Sequence, residues 1–390
     1  MLDWRRSLGV PRGLARPVIV FAAAAELFLP VLAATAPLAA APLPDIVRSI
    51  SLEKTAAGYR WTLTRSPMPA LGEHQVLVHV RAVSLNRDDL SLLAPNPHAD
   101  LTGIKLGSDA AGDVVALGKA VTDLQVGERV TNTYFRDWQQ GTPSRKQLDP
   151  ALRATVAGVA ADYVALDDTG VIPMPKGYSY AEAATLPTAG LTAWVATVGR
   201  NRLGPSKVVV IEGTGGVSTF AMQFAAATGA RIILTSSSDE KLQRTLGIAR
   251  HESINYRSVP SWSERVMALT AGRGADLVVD VGGKRTLGEA AQSLAPGGTL
   301  SVVGGLTGYD GDIPAGILLE KVAKAQGVFV GSRADFRRMI AFIEAHRLQP
   351  LIDRVFPLND YQRALSLLQS DRFIGKIVLR FDDAPAAAAE

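Results

Sequence analysis

Apolar and polar positions change rhythm twice along the chain. Residues 50–52, 59–63, 75–83, 112–117 and 129–133 are short apolar or β-branched runs, broken at Gly72-Glu73, Gly118-Lys119 and Gly127-Glu128. That pattern predicts strands joined by turns, and with so little helix between them a compact, partly open β-barrel. Residues 180–198 carry apolar positions at helical spacing and stop at Gly199, which predicts a helix. A strand beginning at Lys207 then opens a regular alternation. Residues 216–228 read as helix, 231–235 as strand, 239–246 as helix and 252–255 as a short strand, and segments 261–269, 276–280, 287–294 and 298–303 continue the series. Strands separated by helices predict an α/β fold with a parallel, doubly wound sheet.

The first of those strands, Lys207-Val208-Val209-Val210-Ile211-Glu212, breaks into Gly213-Thr214-Gly215-Gly216-Val217-Ser218 before the helix begins. Glycines there let the backbone approach a pyrophosphate, and the helix that follows offers free N–H groups and a positive dipole end. The pattern is not a complete G-x-G-x-x-G, and ordinary strand-to-helix turns resemble it. Its position at the head of a strand–helix series is what marks it as a dinucleotide turn.

Composition narrows the remaining choices. The 390 residues suit about two or three domains. Hydrophobic residues make up 47% and charged residues 20%, an ordinary globular mix. The formal charge is +4, with 41 Lys and Arg interspersed among 37 Asp and Glu, so no basic stripe suggests nucleic acid. The absence of cysteine excludes disulfides, thiolate nucleophiles and cysteine-held zinc. His74, His79, His98, His251 and His346 show no metal-ligand spacing, so no metal is expected.

Residues 1–44 differ from the rest. Arg5, Arg6, Arg12 and Arg16 precede an apolar stretch, and small residues follow at Ala39-Ala40-Ala41, the order of a secretory signal. Arg5-Arg6 partially resembles a twin-arginine signal, and the missing cysteines agree with export. Glu26 and Pro30 interrupt the apolar run, so no stable membrane span is expected. Export to a periplasmic location is the expectation, with an extension on a cytoplasmic enzyme as the alternative.

Four blocks carry a more specific likeness: Leu71-Gly72-Glu73-His74-Gln75-Val76-Leu77-Val78, Ala82-Val83-Ser84-Leu85-Asn86-Arg87-Asp88-Asp89-Leu90, Gly107-Ser108-Asp109-Ala110-Ala111-Gly112-Asp113-Val114 and Val126-Gly127-Glu128-Arg129-Val130. In order and spacing they resemble the GroES-like catalytic domain of the medium-chain dehydrogenase/reductase superfamily, and the likeness runs from about residue 46 to the end of the chain. It implies a discontinuous GroES-like domain at 45–172 and 332–381 around a Rossmann domain at 173–331, with a tail at 382–390.

The departures from that family matter as much. Zinc-dependent members bring a Cys, a His and a second Cys to the catalytic metal. The matching positions here are Asn86, Ser108 and Thr188, and the cysteine-rich structural zinc lobe gives way to a polar stretch at 134–153. Without a Lewis acid, hydride transfer suits acceptors that already delocalise negative charge, such as quinones and α,β-unsaturated carbonyls. The chain is thus similar to the zinc-free quinone oxidoreductase and enoyl-reductase branch. Asn86 is the candidate oxyanion donor and Asp109 a second catalytic candidate. Both Asn86 and Asp89 could instead cap a turn.

The resemblance also implies a cofactor. NAD-binding relatives carry an acidic residue about twenty positions after the glycine turn, for the ribose hydroxyls. This chain has Thr235-Ser236-Ser237-Ser238 there, followed by Lys241 and, at Ile254-Asn255-Tyr256, a tyrosine resembling one that flanks a 2′-phosphate. Ser238 is also a natural helix cap. NADP(H) is the expected cofactor, held by Gly213, Thr214, Gly215, Gly216, Val217, Ser236, Ser237, Lys241 and Tyr256. Thr192 and Gly304 are expected near the nicotinamide, Arg333 on the segment returning to the catalytic domain, and Lys376 at the cofactor phosphates. The implied protein is a homodimer or homotetramer reducing a small conjugated carbonyl or quinone. An alcohol or aldehyde oxidoreductase and a non-catalytic NADP(H)-binding protein are the alternatives.

Overall fold

The computed structural model describes residues 43–94, 100–148 and 158–381. Nearly all of the expected leader, and the tail at 382–390, therefore lie outside the described residues. The described residues from Pro44 to Phe381 pack as one compact unit.

Six parallel strands form one sheet in the order Glu252–Asn255, Arg231–Ser236, Val208–Glu212, Ala275–Asp280, Leu294–Val302, Lys324–Gly327. Val208–Glu212 is buried on both faces, which is why it reads as an unbroken β-branched run. The chain winds outward from it first to one side and then to the other, so the strand order reverses between Val208–Glu212 and Ala275–Asp280. At such a reversal the loops at the carboxyl ends part and leave a crevice. Helix Gly216–Ala227 covers the sheet with Phe220 and Phe224, stacked at 6.0 Å, and Trp194 meets Phe224 edge-on at 5.6 Å. Burial of each such phenylalanine contributes about 2–3 kcal/mol.

The second sheet has seven strands. Ile352–Pro357, Lys376–Arg380, Gln75–Ser84, Asp109–Leu117, Arg129–Asn132 and Val171–Pro173 follow one another, and Tyr163–Asp167 pairs with Gln75–Ser84 off that path. Strands from before and after the parallel sheet thus join in one β lobe. Ile46–Thr55 and Gly58–Pro67 add an antiparallel ribbon whose core-facing residues, Ile50, Leu52 and Trp61, are buried.

Three features depart from the sequence reading. The helix expected over 180–198 is a succession of Tyr180–Ala183, Leu186–Gly190, Leu191–Trp194 and Val195–Gly199, in which Leu186–Gly190 and Val195–Gly199 are widened turns. Pro187, which has no N–H to donate, sits at the start of the first of these, and Gly190 N reaches back five residues to the Thr185 carbonyl. The stretch expected to be polar from residue 134 instead buries Tyr134, Phe135 and Trp138, with Phe135 edge-on to Phe329 at 5.1 Å. Beyond residue 303 the chain adds helices Ala315–Glu320, Arg333–His346 and Tyr361–Ser370 and strands Lys324–Gly327 and Ile352–Pro357, which the hydrophobic pattern does not predict.

Candidate functional site

The glycine turn is built from both lobes. Gly213 has φ +75°, a left-handed conformation that glycine adopts without steric penalty, and its N–H donates to the Thr235 carbonyl at 2.8 Å. The Thr214 carbonyl accepts from Gly375 N at 2.9 Å, and Gly215 forms a parallel bridge with Gly375, the residue before strand Lys376–Arg380. Ser218 donates its hydroxyl to the Glu212 carbonyl at 2.6 Å and fixes the first turn of helix Gly216–Ala227. A Cβ added at Gly215 would meet no atom within 4 Å, so the turn is open at that residue. At Gly216 a Cβ would lie 2.5 Å from Lys376 Cδ. Val217, half-buried, completes the turn.

Two carboxyls that the sequence reading missed lie under this turn. Glu212 and Asp280 end adjacent strands and are both buried. Glu212 Oε2 accepts from Val281 N and Gly282 N at 3.3 Å, and Asp280 accepts from Gly283 N and from the Thr286 hydroxyl. Burial, reinforced by the neighbouring Asp280, drives the Glu212 carboxyl well above its ordinary range, and burial also raises Asp280. Gly304 lies beside them, where a Cβ would come within 2.8 Å of the Val281 carbonyl.

At the end of the next strand Ser236 is buried and Ser237 half-buried. The Ser238 hydroxyl caps helix Asp239–Thr245 by accepting from Lys241 N at 3.3 Å. Tyr256 N donates to the Ser236 carbonyl at 3.0 Å, and the residue is exposed. The Lys241 ammonium donates to the Asp371 carbonyl, and Arg87 pairs with the Asp371 carboxylate. Burial lowers the Lys241 pKa, and the positive charges of Arg87 and Arg244 add to that. Arg87 was not singled out from the sequence. Its only signal was its place directly after Asn86.

The residues at the positions of metal ligands in zinc-dependent relatives do converge. Asn86 Nδ2 donates to Asp109 Oδ2 at 2.9 Å and to Ser108 Oγ at 3.3 Å. Ser108 Oγ donates to Asp109 Oδ1 at 3.0 Å, Thr188 Oγ1 to the same oxygen at 2.6 Å, and Thr188 N to Asp109 Oδ2 at 3.3 Å. Asp109 is fully buried, whereas Asn86, Ser108 and Thr188 are half-buried. The widened turn at Leu186–Gly190 supplies Thr188. Asp89 holds the loop from behind by accepting from Asn86 N at 2.7 Å and Gly107 N at 3.2 Å, which is the turn-capping alternative realised for that residue. Burial pushes Asp89 up to about 7.

Lys376 enters this network rather than standing free at the turn. Its ammonium donates to Asn86 Oδ1 and to the Leu85 carbonyl, both at 2.6 Å, and the residue is 3% exposed. Burial lowers the Lys376 pKa and raises that of Asp109, and each group opposes the shift of the other. Thr192 is buried just past the widened turn. Arg333 is elsewhere: its guanidinium donates to the Val171 carbonyl at 2.9 Å, and among the described residues it makes no hydrogen bond to the glycine turn.

A parallel sheet whose glycine turn opens beside a polar network on a second sheet is the architecture of a two-lobed dinucleotide-binding protein. Residues 72–176 match the alcohol dehydrogenase GroES-like domain, and residues 216–345 match a domain described as zinc-binding dehydrogenase. A zinc-type alcohol dehydrogenase-like protein of Schizosaccharomyces pombe is 37% identical over 80% of this chain and 92% of its own length. A solved structure from Sinorhizobium meliloti 1021, assigned as an alcohol dehydrogenase, is 36% identical with a TM-score of 0.81, covering 87% of this chain and all of its own. A solved NAD-dependent alcohol dehydrogenase is 28% identical with a TM-score of 0.74, covering 86% of this chain and all of its own. The chain belongs to the medium-chain dehydrogenase/reductase superfamily, as an oxidoreductase with the GroES-like and Rossmann-like parts of that family.

Proposed function

We propose that the chain is a zinc-independent, NADPH-dependent reductase that delivers hydride to a conjugated carbonyl or a quinone. The observation that carries this reading is the Asn86–Ser108–Asp109–Thr188 network. Zinc is held by thiolate, imidazole or carboxylate. Here the three ligand positions offer one amide and two hydroxyls, the single carboxylate already accepts four hydrogen bonds, and an ammonium stands 2.6 Å from the Asn86 oxygen. That donor set does not fit a zinc ion. Among the described residues no group of three His, Cys, Asp or Glu gathers as a metal site would. The word zinc in the relatives' names is therefore not carried over to this chain.

A nicotinamide dinucleotide fits the turn, because Gly215 opens a space bounded by the free N–H groups of helix Gly216–Ala227. Thr214 to Val217 would hold the pyrophosphate. Ser236, Ser237, Tyr256, Lys241 and Arg87 would receive a 2′-phosphate, with no acidic side chain at the end of strand Arg231–Ser236 to repel it. The bound cofactor supplies the hydride. The chain supplies orientation and donors: the Asn86 N–H now on Ser108 at 3.3 Å, the weaker of its two bonds, is the one that can turn to an acceptor oxygen as negative charge develops there. A delocalising acceptor needs little more than this.

A panel of NADPH oxidation assays tests the reading. Turnover of quinones or enones is the expected result, and turnover of simple aldehydes alone would replace it with the alcohol or aldehyde oxidoreductase that the relatives' names favour. A homodimer or homotetramer is part of the proposal. Strand Lys324–Gly327 ends the parallel sheet with its outer edge unpaired among the described residues, and the nearby Leu319 and Val322 are exposed. No helix among the described residues is long and apolar enough to cross a membrane.

A further inference from the structure

Lys376 was expected from the sequence to meet the cofactor phosphates, and its side chain does pass the phosphate turn. Its stem fills the space over Gly216, where a Cβ would fall 2.5 Å from Lys376 Cδ. The charge itself lies further on, inside the other lobe, committed to Leu85 O and Asn86 Oδ1. A lysine has three N–H donors, so two are spent on these acceptors, and both acceptors belong to the loop that carries Asn86.

The surroundings explain why a cation is there. Asp109 is fully buried and ringed by Asn86, Ser108 and Thr188, and Asp89 is buried behind the same loop. Two carboxyls placed so deep would be expensive to ionise alone, because an uncompensated charge loses its hydration without gaining a partner. The attraction of the lysine favours the charged form of both. The ammonium also sets the orientation of the amide. With Oδ1 held by Nζ, the Asn86 Nδ2 must face Asp109 and Ser108, so the side chain cannot flip and present its oxygen to an acceptor.

We propose that Lys376 is the resident cation of the catalytic lobe, occupying the electrostatic role that zinc has in metal-dependent relatives, and that it acts as a positioning residue by orienting Asn86 and balancing Asp109 rather than by gripping the cofactor phosphates. This rests on the zinc-independent reading above. It differs from that reading in giving the charge a source within the chain, carried by the last strand.

The test is a double-mutant cycle on the full chain with three readouts: NADPH affinity by fluorescence titration, kcat on the best conjugated acceptor, and thermal unfolding. In Lys376→Met, kcat at saturating NADPH should fall at least about a hundredfold while the NADPH dissociation constant moves by less than about threefold. The melting temperature should fall, and Asp109→Asn in the same chain should restore it without restoring kcat, because the double variant carries no unbalanced Asp109 charge. If Lys376→Met alone does not fold, the double variant must; failure of the double variant to fold overturns the proposal. So does a dissociation constant raised about tenfold or more with kcat near that of the wild type, the signature of a phosphate ligand. Additive effects of the two substitutions on melting would show that the lysine does not balance Asp109. A wild-type protein that turns over no conjugated acceptor defeats the functional reading instead, and the titration and melting cycle still judge the lysine.

Discussion

Gly216 and Lys376 share one space: the missing Cβ of the glycine is filled by the lysine stem, 160 residues later in the chain. Gly216→Ala should therefore do more than stiffen the first turn of a helix. The stem has little freedom to yield, since its ammonium is held at 2.6 Å by two acceptors, and the Ala189 Cβ closes the other side at 3.2 Å. Overpacking of this kind costs about 1–3 kcal/mol. The expected outcome is a lower melting temperature together with weaker NADPH binding, read by thermal unfolding and fluorescence titration. A variant that melts like the wild type would show that the lysine moves freely.

Cofactor choice should follow the cations at Asp371. Lys241→Ala removes the charge that donates to the Asp371 carbonyl, on the helix that follows Ser236 and Ser237, and with it the charge-assisted hydrogen bonds of about 1.5–3 kcal/mol that a 2′-phosphate would make. NADPH affinity should drop about tenfold or more while NADH affinity stays the same. Arg87→Ala should add to the effect, because its guanidinium reaches the same aspartate from the other lobe. Parallel titrations with the two cofactors decide this, and an equal loss for both would assign the lysine to another part of the dinucleotide.

Stability should depend on pH through Glu212. Its folded pKa is raised, so the folded state holds a proton that the unfolded chain releases near the ordinary value of 4.5. The stabilisation is present in full below that value and is lost as pH rises toward the folded pKa. Glu212→Gln keeps the shape and removes the titration. The variant should melt above the wild type at pH 8, with the advantage shrinking as pH falls toward 4.5. Differential scanning calorimetry across that range would show it, and a pH-independent difference would mean that Glu212 is ionised throughout.

The open edge of the parallel sheet bears on assembly. Leu319→Lys with Val322→Lys places two charges beside Lys324–Gly327, a common way for proteins to protect such edges. Light scattering after size exclusion should find the wild type as a dimer or tetramer and this variant shifted toward monomer. An unchanged mass would move the interface elsewhere.

Much of the fold was legible because its signals are local. The run Val208–Glu212, the glycines after it and the alternation of strands and helices each lie within a few residues of one another, and all appear in the six-stranded sheet. What was not legible depends on contacts distant in sequence. Nothing near residue 376 indicates that its ammonium reaches Asn86, 290 positions away. Nor does anything near Arg333 indicate that its guanidinium donates to a carbonyl 162 positions back. Tyr134, Phe135 and Trp138 were hidden within a polar-looking stretch, because no period marks a loop that folds its aromatic residues into the core. Glu212 read as the polar end of a strand, and its burial became apparent only when Asp280 came alongside.

The single bridge between Gly215 and Gly375 has a mechanical consequence. It fastens the floor of the nucleotide cradle to the strand that ends the described fold, and that strand is hydrogen-bonded in turn to Gln75–Ser84. The cradle cannot tilt without pulling on Lys376–Arg380, and a dinucleotide that steadies the cradle steadies the β lobe as well. Slowed amide exchange at Ile377 to Leu379 would then report cofactor occupancy from the strand that follows the bridge.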